Sequence, residues 1–417
     1  MQISLVEFSV ENFKVFKNKA TFSMVARKND AHTFESKGEN LLKTSFIYGP
    51  NASGKSSFLE ALTNLRQAIL FSANNTETDP LPYTPFLASE ESKDKPVFFE
   101  LVFTVVGTLE GVYRYNFSFL RDRMVAENLT KISATGTEEN YISRKEQEIT
   151  LGKAFEDAKV LIGKVRKETL FLSVAAQFNS RTGLDILNAL KDSLNIISGI
   201  TYMRYQNFTV KMFKDDSEYK EHILQYLKMA DFCISGGHAE EVDVNRVDIK
   251  DGQGEFSASK RIAKRIALFF QHSVYDKENQ KTGSFKLPLD MESVGTQRFT
   301  SVLGPIIDTL KNGKVLLIDE FDSSLHPLLT KFIVDLFESS ETNNHNAQLI
   351  VTTHDTSLLS YRDDFLKDQF WFTDKDEFGS AKLFSLAEFT IRNDTEFAKK
   401  YLEGRFGALP FINPVKK

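Results

Sequence analysis

The chain has 417 residues, 41% of them hydrophobic and 26% charged, with a formal net charge of −5. That length and balance supply two or three lobes with true hydrophobic cores and exclude a disordered chain, and the weakly negative charge gives no global attraction to nucleic acid. The single cysteine, Cys233, excludes an internal disulfide or a thiolate metal cluster and suits a reducing compartment.

The opening "MQISLVEFSVENFKVF" alternates apolar and polar residues, and residues 3–10 and 20–26 read as strands. It lacks the basic and apolar regions of a secretory leader, and no run of about 18 apolar residues occurs, so a cytoplasmic protein that makes no membrane contact is expected. "SFIYG" (45–49) is a short apolar strand that runs into a glycine-rich turn, and "KSSFLEALTNLRQAILF" then places Phe58, Leu59, Leu62, Leu65, Ile69 and Leu70 at helical spacing. Residues 72–85, rich in Asn, Thr and Pro, form the most linker-like stretch. From Val97 to Met124 two alternating segments flank a glycine turn, the pattern of an antiparallel hairpin.

Residues 144–285 read as mostly helical, with candidates at 153–178, 183–197 and 218–234, then a looser β-like part from about 240. The basic stretch "KRIAKR" (260–265) reads either as a solvated face or as a local binding patch. The last third returns to α/β order: a helix after "GTQRF", the strand "VLLID", a helix over 328–338, the strand "QLIVTTH" and the strand pair "QFWFTD" and "AKLFSL". The expected fold class is α/β, with a mixed sheet, an antiparallel β lobe and a helical insertion. The boundaries are 1–140 and 288–417 for the two parts of one head and 141–287 for the insertion.

"GPNASGKS" (49–56) fills G-x-x-x-x-G-K-[ST] between a strand and a helix. Gly49 and Gly54 let successive N–H groups, with Asn51, Ser53 and Ser57 alongside, face phosphate oxygens. Lys55 reaches the β and γ phosphates, and the Ser56 hydroxyl ligates Mg²⁺. "VLLIDE" is a buried strand closing on two acids: Asp319 is expected to hold Mg²⁺ and Glu320 to polarise the attacking water. "IVTTHD" ends a further strand at His354, whose neutral imidazole can hydrogen-bond a γ-phosphate. "SVGTQ" (293–297), taken alone, reads equally as a capped helix start.

Phosphate loop, "SVGTQ", "VLLIDE", "DSSLH" and "TTH", in that order, resemble the non-transporter branch of the ATP-binding-cassette superfamily, the ATPases of chromosome maintenance, recombination and overcoming-lysogenization-defect type. The resemblance covers about 1–130 and 285–417. It implies an ABC-type P-loop ATPase using ATP and Mg²⁺, closing as a homodimer in which Ser293, Gly295 and Gln297 grip the γ-phosphate held by the opposite protomer. It further implies that Ser323, Ser324, Leu325 and His326 form a loop across the dimer interface, with His326 departing from the aspartate usual in transporters, and that Gln177 is the glutamine that meets Mg²⁺.

Within this branch, "LFLSVAAQFN", "ESVGTQRF", "DEFDSSLHP", "DQFWFTDKD" and "YLEGRFGALPF" resemble the ATPase component of bacterial abortive-infection and restriction-linked two-gene cassettes. That resemblance implies an anti-phage switch with a phage-derived trigger, controlling a separate effector that is often a Toprim-type nuclease, with assembly beyond the dimer left open. About 63 residues follow His354, fewer than the roughly 100 that a metal-binding nuclease domain needs, so cutting is expected of another polypeptide. The alternative is a DNA-repair or chromosome-maintenance ATPase that binds DNA directly, which would ordinarily carry a long coiled coil or a basic groove.

Overall fold

The computed structural model describes residues 1–74, 81–133, 135–198, 202–230, 232–252, 255–361, 364–390 and 396–409. The chain forms two compact units: Met1–Ser198 with Thr309–Asp322 and Ile333–Lys417, and Gly199–Asp308 with Ser323–Phe332. Of the region 141–287, the part through Ser198 therefore belongs to the first unit. Within the linker-like stretch 72–85, residues 75–80 lie outside the described residues, as does the end of "YLEGRFGALPF". Among the described residues no helix is long and apolar enough to cross a membrane.

The first unit opens with β1 (Gln2–Glu11) and β2 (Ala20–Ser23), the hairpin β3 (Thr33–Ser36) and β4 (Glu39–Leu42), and the wholly buried β5 (Thr44–Tyr48) leading to α1 (Lys55–Phe71). An antiparallel meander follows: β6 (Val97–Val106), β7 (Gly111–Phe119), β8 (Met124–Ile132), β9 (Glu138–Lys145) and β10 (Glu148–Leu151). With β1 and β2 it makes a seven-stranded sheet in the order β10-β9-β8-β7-β6-β1-β2. Then come α2 (Phe171–Gln177), α3 (Arg181–Ser193) and β11 (Leu194–Ile197).

The second unit contains α4 (Tyr202–Asp215), α5 (Ser217–Met229) and a three-stranded sheet of β12 (Ile234–Gly252), β13 (Glu255–Tyr275) and β14 (Lys281–Pro288). The helix α6 (Val294–Asn312) leads back toward β15 (Val315–Ile318), α7 (Pro327–Glu338), β16 (Gln348–Thr352), α8 (Ser357–Ser360), β17 (Phe370–Lys375), β18 (Ala381–Ser385) and α9 (Phe397–Leu402).

A six-stranded sheet of the first unit, β11-β15-β16-β5-β17-β18, is parallel except for β18. Its central strands are buried on both faces, which is why "TSFIY", "VLLI" and "QLIVT" lack alternation. The carboxyl ends of β5, β15 and β16 consequently share one edge, the place where parallel sheets of this kind bind ligands. Phe58 of α1 packs edge-on against Phe8 and Phe16 and tilted against Phe22. Burying a phenylalanine contributes about 1.5–3 kcal/mol, so this cluster fixes the helix that begins at Lys55.

Besides the candidate over 218–234, which ends at Met229 before Ile234 opens β12, two helical expectations are corrected. Residues 153–161 form a 3-10 stretch with a non-helical Phe155, Gly163 follows at a φ of 80°, and only 171–177 is α-helical. Nearer α2 a buried cation takes part: Arg144 of β9, unexposed, donates to the carbonyls of Glu146, Arg166, Lys167 and Thr169 and so gathers the loop before α2. The fully buried Glu127 accepts from Tyr115 Oη at 2.9 Å and from the N–H groups of Phe171 and Leu172 at 2.6 and 3.0 Å, capping α2 from another strand. Burial pushes the Glu127 carboxyl up, while Arg144 and these donors oppose the shift. The second correction is at 194–197, where "LNII" leaves the helix and pairs in parallel with 315–318 as β11.

Removing one partner of such a pair strands a buried charge. Arg144→Met is expected to cost about 3–5 kcal/mol, read by chemical denaturation; a loss below about 1 kcal/mol would mean that the pair is not buried in solution.

Candidate functional site: a phosphate-binding edge

β5 runs into the loop Gly49–Gly54, and Lys55 starts α1. Gly49 has a φ of 155°, and a Cβ there would overlap Thr373 Oγ1, Thr373 O and Ser53 Oγ; Gly54 has a φ of 125°. Ser53 is buried and its hydroxyl meets Thr373 Oγ1 at 2.5 Å, so β17 clamps the loop from outside. Asn51 and Ser56 are exposed, and Ser57 is half-buried.

Lys55 is 6% exposed, and its ammonium donates to Gly49 O at 2.6 Å and Pro50 O at 3.1 Å. Burial lowers its pKa to about 8, against the pull of Asp319, Asp322 and Glu320. A buried ammonium folded onto its own loop fits an anionic ligand that would replace those carbonyls, and the cradle that a Cβ would fill fits close approach of phosphate oxygens. For Mg²⁺, the exposed Ser56 hydroxyl and the buried Asp319 carboxylate are the hard oxygen donors that such a metal takes beside phosphates.

Across the edge, Thr352 at the end of β16 joins the two acids: its hydroxyl donates to Asp319 Oδ1 and accepts the Glu320 N–H at 2.9 Å. Asp319 N–H in turn donates to Ile197 O at 2.8 Å. Glu320 sits at a φ of 49°, a strained setting for a residue with a Cβ and one that clusters at functional sites. The backbone N–H of His354 donates to both carboxylate oxygens of Asp322 at 3.2 and 3.3 Å, and partial burial of the ring, with the nearby Lys55, lowers its pKa. The imidazole is therefore neutral at pH 7, with one nitrogen able to donate and the other to accept. Beside this edge lies a cavity of about 650 Å³ lined by Gly49–Ser53, His354, Asp374, Lys375 and Tyr401, among others.

The structure thus brings Gly49, Asn51, Ser53, Gly54, Lys55, Ser56, Ser57, Asp319, Glu320 and His354 to one edge of the first unit. Ser293, Gly295, Gln297 and Ser324 belong to the second unit, where a Cβ on Gly295 would lie 3.4 Å from Ser324 O. Ser293 Oγ accepts the Thr296 N–H at 3.1 Å, so the serine caps α6. Gln297 points back instead, donating to the carbonyls of Glu292 and Asp290. Val294, 68% exposed, Met291, 70%, and Leu328, 64%, flank these motifs as an apolar surface within the second unit.

Gln177 is corrected. Its amide meets Asn74 Oδ1 at 3.5 Å, beyond the far end of α1. At about 1.5 Å per residue, α1 puts that end roughly 24 Å from Lys55, out of reach of a metal held by Ser56. Thr352 and Asp322 are the contributors that sequence reasoning missed. The signals were a threonine inside an otherwise apolar strand and a third acid closing "DEFD".

The parallel edge, its phosphate loop and the acid pair define a P-loop ATPase fold. Residues 45–219 and 234–360 match the family model described as "AAA domain, putative AbiEii toxin, Type IV TA system". The match takes in more than half of the chain, which belongs to this AAA-domain family. No curated protein sequence matches the chain.

Because Lys55 must be cationic to hold phosphates and titrates at about 8 in the free site, ATP affinity is expected to be full below that pH. It should weaken as pH rises through it, by about tenfold per unit while the bound form stays protonated. Titrations of a fluorescent ATP analogue from pH 7 to 9.5 test this; a flat profile contradicts it. Gly49→Ala is expected to abolish binding in the same assay, and retained affinity would mean that the loop opens freely.

Proposed function

We propose that the chain is an ABC-type, ATP- and Mg²⁺-dependent ATPase of the cytoplasm whose two copies close on two nucleotides. Its ATP state holds or releases a separate effector, a Toprim-type nuclease, in anti-phage defence. The observation that carries the reading is the buried, self-engaged Lys55 facing Asp319, Glu320 and His354 on one strand edge. The family's toxin–antitoxin description supports the defence setting.

In this reading Lys55 and the loop N–H groups hold the β and γ phosphates, and Ser56 with Asp319 holds Mg²⁺, which when bound neutralises charge on the phosphate oxygens. Glu320 takes the proton of the attacking water, and neutral His354 hydrogen-bonds the γ-phosphate. The N–H groups of Val294 and Gly295 have no partner among the described residues and open the helix α6, whose dipole favours an anion. They, with the Ser293 hydroxyl, complete the partner's site, and Ser324 and His326 lie on the same closing surface. The exposed Met291, Val294 and Leu328 give that surface an apolar rim.

Coupling to the second unit follows the chain. It leaves the first unit after Ser198, next to Ile197, whose carbonyl accepts the Asp319 N–H, and after Asp322, whose carboxylate accepts the His354 N–H. Both exits start at the phosphate edge, so a change there is passed on covalently to the unit that offers Ser293.

Expression of Glu320→Gln with its neighbouring genes in Mg²⁺-ATP, beside Lys55→Ala, tests the reading. A second polypeptide held by the first variant and not by the second is expected. DNA alone, or a bare dimer, would move the assignment to direct action on DNA.

A further inference from the structure

Ser293 is reached by a short chain of bonds that begins on the sheet of the second unit. His272 of β13 is paired in register with Phe285 of β14 and stacks on its ring, centroids 5.3 Å apart at 25°. Its Nε2 lies 2.7 Å from Glu292 Oε1, and the two side chains are only 16% and 8% exposed. An ionised carboxylate only accepts, so Nε2 carries the hydrogen and donates. The Glu292 carbonyl is held as well, by Gln297 Nε2 at 2.8 Å. Glu292 is thus fastened at side chain and backbone, and the next residue is Ser293.

This arrangement is not needed for helix capping, since Ser293 caps α6 with its own hydroxyl and Gln297 N–H bonds Ser293 O at 2.9 Å. It fixes where the cap stands. The bond also links the cap to a long lever: β12 and β13 pair with each other from Ile234–His272 to Gly252–Glu255, whereas β14 covers β13 only over Phe269–Tyr275. A two-stranded ribbon alone is only marginally stable, and His272 stands where β13 is paired on both sides, with Ile234 of β12 and Phe285 of β14.

We infer that His272 is a positioning residue for Ser293: through Glu292 it ties the root of the β12–β14 sheet to the start of α6, and so sets the trans half of the nucleotide site. The inference rests on the reading that Ser293 acts in trans on a second copy. His272 touches no nucleotide and makes no demand on the cis half, which lies wholly in the first unit.

The test uses the full chain in the Glu320→Gln background. Dimer formation against ATP is followed by light scattering, and cis binding of a fluorescent ATP analogue is followed at protein concentrations too low for dimers. His272→Phe keeps a ring against Phe285 and removes the donor. It is expected to raise the ATP needed for half-maximal dimer by about tenfold, the usual effect of losing a hydrogen bond to a charged group, with cis affinity unchanged. His272→Gln, which restores a donor, should return to within about threefold. Glu292→Met, which keeps the length of the side chain and removes the acceptor, should shift the curve in the same direction as His272→Phe and serves if that variant does not fold. Dimer curves for His272→Phe and Glu292→Met that superpose on the parent's overturn the inference. Cis affinity that falls in step with dimerisation also overturns it, since the pair would then only support the fold. If the Glu320→Gln parent forms no ATP-dependent dimer, the trans reading itself fails and the inference falls with it.

Discussion

The buried ammonium of Lys55 organises the phosphate-binding edge. Lys55 sits at 6% exposure with its charge turned onto two carbonyls of its own loop, and three carboxylates of the adjacent strand end face it. A cation in that position is costly unless anions surround it. The parallel order β15-β16-β5 supplies them, because strands running the same way end on the same edge. The aromatic cluster around Phe58 holds the helix and the clamp from Thr373 holds the loop, so neither can relax to bring the ammonium into water.

The other half of the proposed chemistry stands in a separate unit and has a different character. Ser293 and Gly295 are presented by a capped helix end beside the Ser324 loop, rimmed by exposed apolar side chains and fastened from behind through Glu292. The cis edge binds by charge and close backbone approach, whereas this surface offers two N–H groups and one hydroxyl. Such donors gain value only when a phosphate is brought to them in a dry interface, which is why a second copy belongs to the account.

Much of the cis edge was legible in the sequence because backbone requirements dictate residue type there. Gly49 is needed where a Cβ would strike Thr373, and continuous apolar runs mark strands buried on both faces. What stayed hidden depends on side chains meeting across long separations. Thr352 bridging Asp319 and Glu320, Asp322 holding the His354 N–H, and Glu127 capping α2 leave no periodic trace. Part of the helix expected over 153–178 failed for the same reason: Arg144 holds the carbonyls of Arg166, Lys167 and Thr169 in the loop before α2. Gln177 was misassigned because a motif-like position carries no information about which end of α1 it reaches.

The central claim is that one nucleotide site is shared between two copies, and mixing two inactive variants tests it most directly. Lys55→Ala removes the cis half and Gly295→Asp the trans half, so a heterodimer of the two keeps one intact site. The account predicts that each variant alone lacks ATPase activity and that an equimolar mixture regains part of the parent's. A Gly295→Asp protein that hydrolyses ATP normally, or a mixture that stays inactive while its copies associate, would contradict it.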